Sequence, residues 1–212
     1  MRDVSRRRVI GVTAALLLAG SAVAFFGGVF IHAKAFAGQV LLERAFARAA
    51  QTGQPARPWG WADTWPVARL SVPAHDISAI VLAGTSGEAM AWGPGHMVHT
   101  PLPGAQGTAV IAGHRDTHFM FLQHLRPGDT VLVTNAQGHR NTFAVTDTRM
   151  VRWDRSGIEP WGSDTRLLLV TCYPFGARLS GPYRYVVVTE KIEAPAQNAR
   201  LHTLSPETRM VS

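Results

Sequence analysis

From residue 67 onward the chain alternates short apolar or alternating runs with turn-forming residues. The runs cover 67–72, 77–83, 108–112, 130–134, 142–148, 166–171 and 185–190. The breaks between them hold turn formers, among them Pro127-Gly128-Asp129 and Asn135-Ala136-Gln137-Gly138. A pleated strand sends successive side chains to opposite faces, so this texture predicts strands. Only two short helical patterns interrupt it, at 119–125 and at 86–92. Many short strands with sparse helices predict a mainly β fold, a closed or nearly closed barrel or a sandwich. No internal repeat is present.

The N-terminal segment is patterned differently. Arg6, Arg7 and Arg8 precede 23 residues without a charge, from 9 to 31. At about 1.5 Å per residue this stretch covers the roughly 30 Å hydrocarbon core of a bilayer. The apolar region of a signal peptide is shorter, about 7–15 residues. Arginines ahead of a span favour a cytoplasmic N-terminus and an exported remainder. The expectation is a basic cytoplasmic stretch over 1–8 and a transmembrane signal anchor over 9–33. Two other readings compete: a cleaved signal peptide with Ala35-Phe36-Ala37 as its A-x-A match, and twin-arginine export through Ser5-Arg6-Arg7-Arg8-Val9-Ile10. All three carry the rest of the chain across the membrane.

Residues 34–50 keep apolar positions at Phe36, Val40, Leu41 and Phe46, roughly helical spacing, and continue the anchor helix out of the membrane. Residues 51–58 hold one Gly and two Pro and read as a linker. Trp59, Trp61 and Trp65 follow; they either cover a groove on the domain surface or pack the linker onto the domain. A juxtamembrane helix and linker thus occupy 34–64, the barrel 65–192, and a tail of little periodicity, expected to be poorly ordered, 193–212.

Once the terminal segments are set aside, the 212 residues fit one domain, and a 46% hydrophobic against 17% charged composition permits a packed core. The formal net charge of +7 raises nucleic acid or an anionic membrane surface as partners. The positive charge is spread along the chain, however, with no basic helix interleaved with aromatics and no zinc-finger or helix-turn-helix spacing, which weighs against nucleic acid. No acidic cluster is dense enough to propose a calcium site.

Cys172, the only cysteine, closes the run Leu167-Leu168-Leu169-Val170-Thr171. In an exported chain it has no partner for an internal disulfide, so it is a reactive thiol, half of an intermolecular bond, or a small buried hydrophobe. A catalytic thiol needs a base or charge partner, a donor for the developing oxyanion, and partial exposure. His114 ends another apolar run, so two neighbouring strands could bring it to Cys172. Of the other histidines, His32 flanks the membrane, His75, His139 and His202 sit in turn-like or tail sequence, and His96, His99, His118 and His124 read as surface residues. His114 and His118 have the spacing of helical metal ligands, but the first ends a strand and the glutamate of H-E-x-x-H is missing; no metal or cofactor is expected. For the oxyanion, arginine offers a charged fork of donors. Arg184 opens the strand that would return antiparallel beside Cys172. Arg178, in the connecting loop, is the second candidate, and either can be a plain surface arginine.

These residues together resemble the sortases, membrane-anchored cysteine transpeptidases of the bacterial cell surface. Leu168-Leu169-Val170-Thr171-Cys172 is similar to the family's TLxTC-like pattern. Gly113-His114-Arg115, followed by Phe119, Leu122, Leu125, Gly128 and Asp129, is similar to its histidine motif, and residues 66–73 look like its first strand. The loop at 173–184 departs from the pattern of pilus-building sortases, and 62–66 lacks the residue order of their lid. The overall look is similar to the short sortases of Gram-negative proteobacteria.

The resemblance implies a closed β-barrel of about eight strands with short helices. It implies an inner-membrane anchor with the catalytic domain on the periplasmic side. Cys172 would cleave an LPxTG-like C-terminal sorting signal of an exported protein after its threonine, forming a thioacyl-enzyme that an amine acceptor, a cell-envelope component or a protein, resolves. His114 would be general acid and then base, Arg184 would steady the oxyanion, and Thr171 would help orient the substrate. The alternatives are a cysteine endopeptidase that uses water, and a catalytically inactive surface or binding module.

Overall fold

Residues 2–179 and 181–193 are described by the computed structural model of the chain; the expectation for the tail falls, from residue 194 on, outside them. The element order is α1 (Arg2–Thr52), β1 (Pro66–Val72), β2 (Ile77–Ala83), α2 (Gly87–Trp92), β3 (Gly95–His96), β4 (Gly107–Ala112), β5 (Thr130–Asn135), β6 (Arg140–Arg152), β7 (Thr165–Tyr173) and β8 (Tyr183–Ile192). Short 3-10 turns cover Pro73–His75 and Met120–His124.

The strands close in the order β1-β2-β3-β4-β7-β8-β6-β5, with β5 returning to β1. Closure removes both sheet edges. It is a mixed barrel, because β2 with β3 and β4 with β7 run parallel. Alternation fills the inside: Ala68, Leu70 and Val72 of β1, Leu167 and Leu169 of β7 and Val187 of β8 meet in one buried cluster with Phe119, Phe143 and Leu122. The intervening positions of β7 and β8 face outward, where Leu168 and Val186 pack with Val110.

Each predicted strand is present, most of them longer at one end or both. β6 runs well past its expected 142–148 because, beyond a bulge between Val145 and Asp147, it pairs with β8 as far as Arg152. The expected helix at 119–125 is a 3-10 turn, and the one at 86–92 is α2, capped by Ser86 Oγ accepting from Ala89 N–H at 3.1 Å. The two-residue strand β3 had no pattern to announce it. It wedges between β2 and β4 because Gly95 carries no side chain: a Cβ there would lie 2.1 Å from the Gly84 carbonyl oxygen. β3 also corrects one surface expectation. His96 is 4% exposed, its Nε2 donating to the Pro101 carbonyl at 2.9 Å.

α1 is one unbroken helix that ends at Gly53, whose φ of 68° suits the left-handed cap. From Leu17 it is long and apolar enough to cross a membrane, and its large apolar side chains from Leu17 to Phe36 are exposed. Its last turns then pack on the outer face of the barrel. Leu42 joins Ile80, Leu82 and Ala89 in a second buried cluster, a burial worth about 2 kcal/mol for one leucine. Glu43 is ion-paired with Arg69 of β1.

Candidate active site

Backbone pairing brings the site together. Cys172 lies within β7 rather than just beyond it, and its register partner on antiparallel β8 is Arg184. Directly opposed residues of an antiparallel pair project from the same face with Cβ atoms about 5 Å apart. That face is the outer one, shared with Val170 and Leu168 along β7 and with Val186 and Val188 along β8. Cys172 is neither sealed nor fully open. Arg184 is held beside it by Nη1 donating to the carbonyls of Gly181 at 3.0 Å and Tyr183 at 2.9 Å. Arg178 is exposed in the connecting loop.

His114 arrives from the other side. Ala112, the last residue of β4, pairs in parallel with Val170, so two residues further each strand reaches His114 and Cys172. Two bonds extend this union past the strand: Gly113 N–H donates to the Val170 carbonyl at 3.1 Å, and the Thr171 hydroxyl donates to the Gly113 carbonyl at 2.7 Å. Thr171 is 2% exposed; its side chain ties the backbone ahead of the histidine to the backbone ahead of the cysteine. Gly113 has to be a glycine, since a Cβ there would stand 2.9 Å from the Phe119 ring. His114 itself is exposed, and the amide N–H of Phe119 donates to its carbonyl at 3.0 Å.

Arg115, part of the histidine motif, has partners of its own in the loop after Cys172. Arg115 is 6% exposed. Its Nη1 donates to the Pro174 carbonyl at 2.6 Å, its Nη2 to the Ala177 carbonyl, and its Nε to Asp116 Oδ1 at 2.9 Å. The guanidinium is held above its ordinary range, chiefly by the Asp116 hydrogen bonds and to a smaller degree by charge on Cys172. Asp116 is correspondingly lowered by Arg115. So the residue after the histidine grips the loop that follows the cysteine. The sequence signal was an arginine between a strand end and a buried Phe119, but its partners lie about 60 residues away, beyond local pattern.

His118, half-buried, is lowered by that burial, with the Ala91 carbonyl opposing the shift and the charge of His114 adding to it. Among the described residues no three His, Cys, Asp or Glu side chains gather as a metal site.

A model of the sortase domain matches residues 70–192, more than half of the chain, and this protein belongs to the sortase family. Sortase D of Bacillus subtilis is 29% identical over 124 residues, 58% of this chain; the match spans 62% of that relative's length. Among solved structures, sortase C-1 from Actinomyces oris superposes with a TM-score of 0.56 at 26% identity, covering 61% of this chain and 75% of that one. Sortase A from Corynebacterium diphtheriae gives 0.57 at 20% identity, covering 76% and 86%. The barrel topology is therefore that of the sortases. The expected likeness to the Gram-negative short sortases gains no support from these three relatives.

Proposed function

We propose that the chain is a membrane-anchored cysteine transpeptidase with Cys172 as nucleophile, His114 as general acid and base, and Arg184 as oxyanion donor. The observation that carries the reading is the cross-strand pairing of Cys172 with Arg184, with His114 two residues past Ala112, the β4 partner of Val170. The substrate is an exported protein with an LPxTG-like signal near its C-terminus. Val170, half-buried on the outer face two residues before Cys172 and packed on the buried Val110, Leu168 and Val186, gives the apolar residues of that signal a contact.

In the first half-reaction the Cys172 thiolate adds to the carbonyl carbon of the signal's threonine, and the carbonyl electron pair moves onto oxygen. Arg184 faces that oxyanion with a fork of donors that stays charged. Collapse re-forms the carbonyl and breaks the C–N bond, while imidazolium His114 gives the leaving amine its proton. In the second, an acceptor amine attacks the thioester, His114 takes its proton, and the thiolate departs. A thioester suits the transfer because amines attack it more readily than an oxygen ester.

α1 holds the enzyme in the inner membrane as a single-pass anchor, with arginines on the cytoplasmic side and the barrel outside. A substrate tethered in the same plane meets it at raised effective concentration. No lid is proposed. Incubating the full chain with an LPxTG-type peptide and a glycine-based amine tests the reading. The expected product is the peptide–amine amide, absent with Cys172→Ala. Free acid alone, undiminished by excess amine, would make the protein an endopeptidase, and no cleavage with any peptide of a library would favour an inactive barrel.

A further inference from the structure

The α1 helix leaves the apolar stretch and enters the barrel beside a groove unrelated to the Cys172 face. This groove of about 670 Å³ is lined by Ile31, Lys34 and Gly38 of α1, by Trp59 and Trp61 of the following segment, and by Trp92 of α2. We propose that it is a docking surface for the bilayer that α1 spans, with a phospholipid of that leaflet seated in it. This rests on the anchor reading above.

Its position argues for that occupant. Ile31 is the last residue of the charge-free stretch, so the groove begins where the hydrocarbon ends. Leu41, the furthest helix residue that lines it, lies ten residues on, about 15 Å further along the helix axis. The headgroup layer on each side of a bilayer is about 5–7 Å deep, so the end of the groove nearest Ile31 lies within that layer and the rest stands just above it. Tryptophan belongs at this depth, having an apolar body and one polar N–H.

The chemistry agrees. Trp61, which lines the groove, is 83% exposed. In water this is a costly surface; against lipid it is covered. Lys34 Nζ sits 5.8 Å from the centre of the Trp92 ring, an ammonium aimed at the level of lipid phosphates. Glu88 also lines the groove and can receive the amine of a zwitterionic headgroup.

The groove is also built to keep its height. The Trp92 ring packs where a side chain on Gly38 would be: a Cβ there would lie 2.2 Å from it. Gln39 Nε2 donates to the Trp92 carbonyl at 2.8 Å, and Trp59 meets Trp92 edge to face at 5.0 Å. Leu42 buried against Ile80 and Leu82 of β2 adds a further contact between the helix and the barrel.

The test uses the full chain in phosphatidylethanolamine–phosphatidylglycerol vesicles doped with phosphatidylcholine brominated high on its acyl chain, which quenches nearby tryptophans. Trp61→Phe should lower the quenched fraction of the emission. Trp65→Phe should raise it: Trp65 lines a separate cavity with Gly53, about 30 Å along α1 beyond Ile31, and removing an unquenched emitter leaves the quenched share larger. A fraction that Trp61→Phe fails to lower, or that Trp65→Phe fails to raise, overturns the inference while the anchor stands. A chain that alkaline carbonate strips from the vesicles overturns the anchor, and the inference with it.

Discussion

Cys172 and Arg184 face each other directly across the β7–β8 ladder, one residue from the start of the returning strand. The register sets the two backbones opposite each other, so the proposed donor is carried beside the proposed nucleophile before any substrate arrives. Preorganised donors of this kind lower a barrier because nothing has to be reoriented during reaction. Arg184→Ala should therefore reduce kcat by roughly a hundred- to a thousand-fold with a smaller effect on KM. Arg184→Lys should recover only part, since an ammonium offers no fork. Arg178→Ala should leave kcat within a few-fold. Steady-state kinetics on the three variants decides between the two arginines, and an equal loss at Arg178 would move the role there.

Arg115 acts through the loop, so its loss should look different. Arg115→Met removes the donors to Pro174 and Ala177. We expect faster hydrogen exchange over 174–179 together with a fall in kcat. Arg115→Lys should restore part of both. A kcat loss with unchanged exchange would mean that Arg115 meets the substrate itself.

Thr171 is buried and hydrogen-bonded rather than open to solvent. Thr171→Val keeps its shape and strands the Gly113 carbonyl, which should cost about 1–3 kcal/mol of stability. Thr171→Ser should stay close to the parent. Denaturant unfolding measures both, and a stable but inactive Thr171→Val would assign the hydroxyl to the substrate.

His96 gives the fold an acid limb. Burial lowers its pKa, and the Pro101 carbonyl only partly opposes this. The folded state thus prefers the neutral ring, and below the ordinary histidine value of about 6.5 the unfolded chain binds a proton that the folded chain refuses. Its stability contribution is complete above that value and is lost as the pH falls from there through the lowered folded value. His118 is lowered in the same sense. Melting curves between neutral and mildly acid pH should shift downward, and His96→Gln, which keeps a donor for Pro101, should flatten that shift.

Much of this was legible in the sequence, for identifiable reasons. β1, β2, β4, β5, β7 and β8 were readable because each side of a barrel wall demands its own periodicity, and the returning strand after Cys172 had to pair next to it. That the strands ending near His114 and Cys172 are neighbours was readable because both residues close apolar runs. What escaped depended on contacts far along the chain. β3 is two residues held by a glycine's lack of a side chain. His96 is buried only because β3 exists. The second half of β6 is outward-facing and exposed, so it has no apolar alternation to betray it. Arg115 belongs to a loop, and its role is set by carbonyls that only the closed barrel brings near.

The central claim is that Cys172 carries the acyl group. Intact-mass and peptide-level spectrometry of the full chain, quenched in acid soon after mixing with an LPxTG-type peptide and no amine, tests it most directly. The account predicts an adduct equal to the peptide's acyl portion through threonine, located on Cys172, released by hydroxylamine and absent in Cys172→Ala. Cleavage that proceeds equally well in Cys172→Ala, with no adduct on the parent, would contradict it.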